Sequence, residues 1–420
     1  MFRSLRHRNF QLFFSGQMIS LIGTWMQNIA QAWLVYSLTG SALLLGVVGF
    51  AGQIPIFIFA PLGGLAADRW NRHRVVICTQ AASMILAFAL ATLTLMHIVK
   101  VWEVIVLAAL LGVVNAFDVP ARQSFLIEMV SRDDLMNAIA LNSSMFNGAR
   151  VIGPAIAGIT VAKIGEGWCF FANAVSYIAV IAGLLYMKLE PWKRRAQQSS
   201  PYEHIKEGFY FVQHTAPILA LVMLIGVVSF VAVPYSVLMP VFADQVLHRG
   251  AHGLGVLMGM SGVGALLGAL TLAMRRGVWG LGKVIAFSAM GFGASLILFS
   301  LSKIFWLSVA LMIPVGYGVM LQMSGSNTLI QSMVPDKLRG RAMAVYTMMF
   351  MGMAPLGSLF AGAMAEKIGA PWTVGIGGAG AILGAYWFLQ KLPEIQREAR
   401  ELIAAQGLGG ADSRARTTAG

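Results

Sequence analysis

The chain has 420 residues, of which 58% are hydrophobic and 11% charged, whereas a soluble globular domain carries roughly 25% charged residues. A soluble protein is excluded. Basic residues outnumber acidic ones 30 to 17, a net charge of +13, yet the placement of those charges points to a membrane and not to nucleic acid as the partner. A transmembrane β-barrel is excluded too, because it needs segments of about ten residues alternating in polarity, and stretches such as Val104 to Val114 are apolar without interruption.

Apolar runs long enough to cross a hydrocarbon core ~30 Å thick as helices recur between short polar breaks. Twelve spans are predicted, over 10–37, 42–66, 75–98, 102–119, 138–162, 168–188, 217–243, 253–274, 281–301, 304–325, 342–365 and 372–391. The N-terminus is basic (Arg3, Arg6, Arg8), but no small-residue cleavage site follows, so the first run is read as a retained helix and not as a signal peptide. The longest polar interruption, Glu190 to Thr215, holds Lys193, Arg194, Arg195, Pro201, Glu203, Lys206 and Glu207. The expected organisation is an all-α membrane protein: a six-helix bundle over 1–189, a linker over 190–216, a second six-helix bundle over 217–391 and a tail over 392–420. Cys78 and Cys169 both fall inside apolar segments and read as packing residues.

Basic residues set the orientation. With both termini cytoplasmic, the inner loops and tails hold 24 Lys and Arg residues, among them Arg69, Arg72, Arg74, Arg122, Arg132, Arg275, Arg276, Arg339, Arg341, Arg414 and Arg416. The outer loops hold 5, namely Lys100, Lys163, Arg249, Lys303 and Lys367. That bias fixes the topology and supports the span count. The halves are also a repeat. An offset of 204 residues lays Arg122–Gly165 over Ser326–Gly369 without a gap, pairing Phe146 with Phe350, Gly153 with Gly357, Gly158 with Gly362, and Lys163-Ile164-Gly165 with Lys367-Ile368-Gly369. Two six-helix bundles related by a parallel repeat are the organisation of a transporter that rocks its halves about a central site.

The loop after span two reads Gly63-Gly64-Leu65-Ala66-Ala67-Asp68-Arg69-Trp70-Asn71-Arg72-His73-Arg74. It resembles the Gly-x-x-x-Asp-Arg-x-Gly-Arg-x-Arg signature of the major facilitator superfamily, with Asn71 in place of a Gly. Asn tolerates the left-handed conformation of a helix end, so the turn is expected to survive. Gly64 is expected to let two helices approach, and Asp68 to pair with Arg72 or to cap the N-terminus of a helix from the other half, around Gly340-Arg341. The resemblance implies a latch of Gly64, Asp68, Arg69, Arg72 and Arg74 that holds the outward-facing state, completed by an acid near the end of helix four, where Asp118 stands.

Span five carries Gly153-Pro154-Ala155-Ile156-Ala157-Gly158, which is similar to the helix-five motif of the drug:proton antiporter branch. Gly153 and Ala157 offer a small-residue face, and Pro154 removes one backbone bond. Arg150 is the one basic residue well inside a span. It needs a watery cavity or a partner: either it anchors an anionic or electron-rich substrate, with Ser143, Asn147 and Pro154 on the same face, or it pairs with an acid on a neighbouring helix. In span one, Gln17, Ser20, Thr24, Gln27, Asn28 and Gln31 occupy an arc of about 100° and read as cavity lining, against the alternative of interhelical hydrogen-bond glue. Trp25 and Trp33 offer aromatic surface there. Gln53, Asn115, Asn173, Tyr235, Gln322, Asn327 and Tyr346 are weaker cavity candidates.

No carboxylate lies in the middle of any predicted span, although the family's proton-coupled exporters often place one on helix one or four. Asp118 is therefore read as a conformational switch. No cofactor or metal is expected: only His248 and His252 are closely spaced among seven His, and no Gly-x-x-x-x-Gly-Lys-[Ser/Thr] loop occurs. Asp118-x-Pro120-x-x-Gln123-Ser124-Phe125 and Leu135-Met136-Asn137-Ala138 look like the bacterial branch that includes the enterobactin exporter. The expected function is proton-coupled export of a small molecule, a catecholate siderophore by resemblance, from a monomer in the bacterial cytoplasmic membrane. The rivals are multidrug or other metabolite efflux and, from a different class, a polytopic membrane enzyme.

Overall fold

The computed structural model describes residues 3–131, 133–189, 201–275 and 277–405, and among these the regular structure is entirely helical. Arg132, residues 190–200 with Lys193, Arg194 and Arg195, Arg276, and the tail 406–420 with Arg414 and Arg416 lie outside the described residues.

The first half comprises α1 (Arg8–Thr39), α2 (Ala42–Arg69), α3 (Arg72–Leu95), α4 (Val101–Met129), α5 (Leu135–Ile164) and α6 (Glu166–Leu185). After α7 (Pro201–Gln213), the second half opens with a broken span: α8 (Ala216–Val231), a 3-10 turn, α9 (Met239–Val241) and a π turn ending at Val246. It continues with α10 (Gly250–Met274), α11 (Leu281–Leu301), α12 (Phe305–Met333), α13 (Asp336–Ile368) and α14 (Ala370–Ala405). Eleven segments are long and apolar enough to cross a membrane. The 32-residue α1 is the twelfth by length; its stripe of amides and hydroxyls makes it more polar than the rest.

Local chemistry explains the breaks. Gly40, at φ 62°, ends α1 in the left-handed region, and the Ser41 hydroxyl caps α2 by accepting from Leu44 N at 3.3 Å. Pro234 and Pro240 each lack an N–H, and span seven breaks around them. Two departures from the sequence expectation matter below. The linker contains a helix, α7, and α4 runs on through Pro120 for ten residues past the expected stop, so Asp118 lies well inside a helix and not near its end.

Within the first half, α2 packs on α4, α1 on α5 and α6, and α3 on α4 and α6. In the second half α10 packs on α12, α8 on α13 and α14, and α11 on α12 and α14. Each contact in one set has its repeat counterpart in the other, as a pseudo-two-fold arrangement requires. The N-terminal segment is pinned beneath α5: Ser4 N donates to Asn137 Oδ1 at 3.0 Å, and His7 meets Asp134 at 2.9 Å. The His7 hydrogen bond holds the Asp134 carboxyl below its ordinary range.

The halves meet along two repeat-related seams, α5 against α10 and α13 against α2. Helix α5 brings Gly158 against Gly255, where a Cβ would lie 2.6 Å from both Gly158 Cα and Pro154 O. Helix α13 brings Gly362 against Gly46, where a Cβ would lie 2.5 Å from Ser358 O and 3.1 Å from Gly362 Cα. Gly158 and Gly362 are repeat partners, as are Pro154 and Ser358. All these contacts lie toward the face opposite the one that carries the N-terminus and α7. On that second, basic face, a Cβ added at Gly64 or Gly340 would have nothing within 4 Å. The bundle is closed on one side and splayed on the other.

Gly255→Val should therefore force backbone apart and lower the melting temperature in detergent, by the equivalent of ~1–3 kcal/mol of overpacking. Gly148→Ala, with open space beside it, should leave the melting temperature unchanged or raise it. Equal stability of the two variants would show that the seam is not backbone-tight.

Candidate functional site

Arg150 sits on α5 at the edge of the closed seam, where its carbonyl lies against Gly262 of the other half. Its guanidinium lies over the Trp25 ring of α1, 5.8 Å from the centroid. Trp25 in turn meets Phe146 edge-on at 5.7 Å, and Phe146 is 47% exposed. In the other half, the Tyr235 hydroxyl shares a 2.9 Å hydrogen bond with Ser261. Among the described residues no carboxylate pairs with Arg150, so the acid partner left open by the sequence is absent there. A cation–π contact offsets ~0.5–2 kcal/mol of the cost of holding this cation in a membrane-spanning bundle.

The other predicted cavity residues divide by burial. Gln17, Ser20 and Gln27 are buried. Along α1, Gly23 faces Asn173 and Ser176 of α6, and Asn173 donates to Gln27 Oε1 at 2.7 Å. For Gln27 this is the hydrogen-bond glue that was the alternative reading; Gln17 is buried with its Oε1 unpartnered among the described residues. An arc on a helical wheel gives a direction; it does not say which neighbour covers it. Thr24 and Gln31 are half-buried and Asn28 exposed, with Thr24 Oγ1 donating to Ser20 O at 3.0 Å. Asn147 stays half-exposed one turn from Arg150 and donates to Ser143 O at 2.9 Å. Gln322 is fully buried with neither amide atom partnered among the described residues. The Tyr346 hydroxyl donates to Met323 O at 2.9 Å, joining α13 to α12.

The loop after α2 is organised within the first half. Gly63, not Gly64, makes the close approach: a Cβ there would overlap Ala116 O of α4. Arg72 does not pair with Asp68. Its Nε donates to Ala67 O at 3.0 Å and its Nη1 to Glu128 Oε1 at 3.0 Å, tying the starts and ends of α2, α3 and α4 together. Asn71 caps α3 by accepting from Arg74 N at 3.2 Å. Its φ of −64° is ordinary extended backbone and not left-handed, which is why Gly is dispensable. Asp68, Arg69 and Arg74 are exposed. Asp118 is 3% exposed and accepts from Thr79 Oγ1 at 2.7 Å and Gln80 Nε2 at 2.9 Å, with Arg122 Nε at 3.2 Å. Arg341 is held by Glu207 of α7, whose Gly208 lies against the Arg341 carbonyl.

Arg72 and Asp118 are thus tied within the first half, and Arg341 to α7. Sequence reasoning missed Thr79, Gln80, Glu128 and Glu207. An adjacent Thr-Gln pair inside apolar α3 was the available signal for the first two.

The helix-five motif divides its work. Gly153 faces α1, with Trp25 Cβ 2.4 Å from where its own Cβ would be, while Gly158 faces α10. Pro154 and Ala157 are buried between them.

Asp118→Asn removes the charge that Arg122 pairs with while retaining one acceptor for Thr79 and Gln80. Transport should fall sharply at unchanged membrane expression; near-normal flux would show that Asp118 serves packing alone.

The comparisons with known proteins agree with this architecture. A family model described as "Transmembrane secretion effector" matches residues 1–407. The staphyloferrin A transporter of Staphylococcus aureus is 28% identical over 375 residues, covering 88% of this chain and 93% of that protein. The multidrug efflux pump Tap of Mycolicibacterium fortuitum is 28% identical over 360 residues, covering 83% and 87%. Among solved structures, the nucleoside transporter NupG superposes with a TM-score of 0.69 at 16% identity, covering 93% of this chain and 99% of that one; that likeness speaks for the fold alone. The splayed pair of six-helix halves and the match along nearly the whole length lead to one assignment: the chain belongs to the transmembrane secretion effector family of major facilitator superfamily transporters.

Proposed function

We propose that the protein is a proton-coupled secondary exporter that moves an anionic, electron-rich small molecule out of the bacterial cytoplasm by alternating access, and that a siderophore is its cargo. The observation that carries this reading is Arg150: a cation without a carboxylate partner among the described residues, stacked on Trp25 beside exposed Phe146, at the seam between the halves. A deprotonated chelating group would complete the charge, and the aromatic pair would face a planar cargo. The orientation follows from the basic residues, which put the splayed face and both termini in the cytoplasm, so in this reading cargo loads from the splayed side. Similarity to the staphyloferrin A transporter and to the enterobactin exporter EntS of Escherichia coli supports a siderophore. Asp118, held by Thr79, Gln80 and Arg122, is read as a conformational switch of that cycle, and the chain is proposed to work as a monomer within the bilayer.

Multidrug efflux is the second reading, favoured by the similarity to Tap and by the exposed aromatic ring of Phe146. A polytopic membrane enzyme is the reading from a different class. Substrate-dependent flux in liposomes, without chemical turnover, separates transport from catalysis.

Cells expressing the protein should retain less of a catecholate siderophore than controls and should not be depleted of lipophilic cationic dyes. Arg150→Ala should reduce siderophore efflux about tenfold, equivalent to ~1.4 kcal/mol, while Arg150→Lys keeps part of it. Efflux of cationic dyes by the wild type, unaffected by Arg150→Ala, would replace the siderophore reading with the multidrug one.

A further inference from the structure

Helices α2 and α13 run antiparallel, so the C-terminal end of each lies beside the N-terminal end of the other, on opposite faces of the membrane. Each carries an acid close to its C-terminal end: Asp68 in α2, which ends at Arg69, and Glu366 in α13, which ends at Ile368. On the closed face Glu366 reaches across the halves into the first turn of α2. Its Oε2 accepts from the Ser41 hydroxyl at 3.1 Å and from Leu43 N at 3.1 Å. A carboxylate of the second half thereby satisfies an orphan N–H of a first-half helix and lies against the positive end of its dipole. Directly beneath, Gly46 and Gly362 are in backbone contact.

Among the described residues the other seam has no such device. At the position repeat-related to Glu366, α5 carries Ala162, and the turn leading into α10 offers no capping serine. A second polar contact between the halves, Tyr36 hydroxyl to Asp244 Oδ2 at 3.1 Å, lies on the same closed face. The polar closure of α2 against α13 is therefore one carboxylate on one helix end, exposed to water and removable without disturbing a core.

We infer that Glu366 is a counter-latch of the transport cycle, a carboxylate that holds the closed face shut by capping α2 from the opposite half. Opening of that face breaks the Glu366 cap and brings the basic-face ends of α2 and α13 closer. The inference rests on the alternating-access part of the proposed function and is independent of the cargo.

Electron–electron distance measurements on the full-length protein in nanodiscs test it without any substrate. In a Cys78→Ser, Cys169→Ser background, spin labels at Lys100→Cys and Lys303→Cys report the closed face, and labels at Ser131→Cys and Gln331→Cys report the basic face. Glu366→Ala should raise the open fraction of the first pair ~3- to 10-fold, with a matching rise in the closed fraction of the second. Ser41→Ala and Glu366→Gln, which each remove part of the cap, should shift both pairs the same way by less, and they keep the test available should Glu366→Ala not yield protein. Lys367→Ala, its exposed neighbour, should shift neither. Two populations in the wild type that stay unchanged in Glu366→Ala, or in both milder variants, would overturn the latch while leaving alternating access standing. A single invariant population in every variant would overturn alternating access and the latch with it.

Discussion

Two backbone contacts define the state of this molecule. Gly158 against Gly255 and Gly46 against Gly362 bring helices of opposite halves so close that a β-carbon at any of the four would meet main-chain atoms of the partner. Because Gly158 and Gly362 are repeat partners, the seams are related by the pseudo-two-fold axis and close together on the same face. Helices that meet at one end and are rigid along their length must diverge at the other. The open surroundings of Gly64 and Gly340 follow from that divergence.

The polar side chains inside the spans divide into those that hold a half together and those left over. Hydrocarbon offers no hydrogen bonds, so most are paired within their own half: Gln27 with Asn173, Asp118 with Thr79, Gln80 and Arg122, Tyr346 with the Met323 carbonyl. Arg150 is left at the seam. The 204-residue offset adds a contrast, because Asp118 and Arg122 are repeat partners of Gln322 and Ser326. The ion pair of the first half has a neutral copy in the second, buried and, among the described residues, without hydrogen-bond partners for the Gln322 amide or the Ser326 hydroxyl. A charge-dependent element at this depth belongs to one half only.

Hydropathy and the repeat made the number of spans, their grouping in two sixes and the helix-five motif legible in the sequence, since each rests on periodicity or composition along the chain. Three things were hidden for separate physical reasons. Pro120 reads as a stop, yet α4 passes through it, so Asp118 was placed at a helix end when it is inside. Adjacent Gly63 and Gly64 are indistinguishable in a motif, and only the position of α4 shows that Gly63 is the one in contact. The amide stripe of α1 points in one direction, and the small residues Gly16 and Gly23 that let α6 cover it can be interpreted only once α6 is in place. Arg150 was legible because a buried cation is conspicuous; its stacking on Trp25, from another helix, was not.

In the proposed cycle the halves move as bodies, which makes symmetry in the backbone compatible with asymmetry in the charges. A seam that opens at α2 and α13 opens at α5 and α10 as well, since the same two rigid sets of helices bound both. One carboxylate at one seam therefore acts on the pair, and a matching acid at Ala162 would add to the barrier without adding control. The same reasoning applies on the basic face, where the α2–α3 loop is rich in charge while Arg341 of α13 is occupied by Glu207 of α7. Closure in the proposed cycle would have to compete with that contact, which would make α7 part of the balance between its two states.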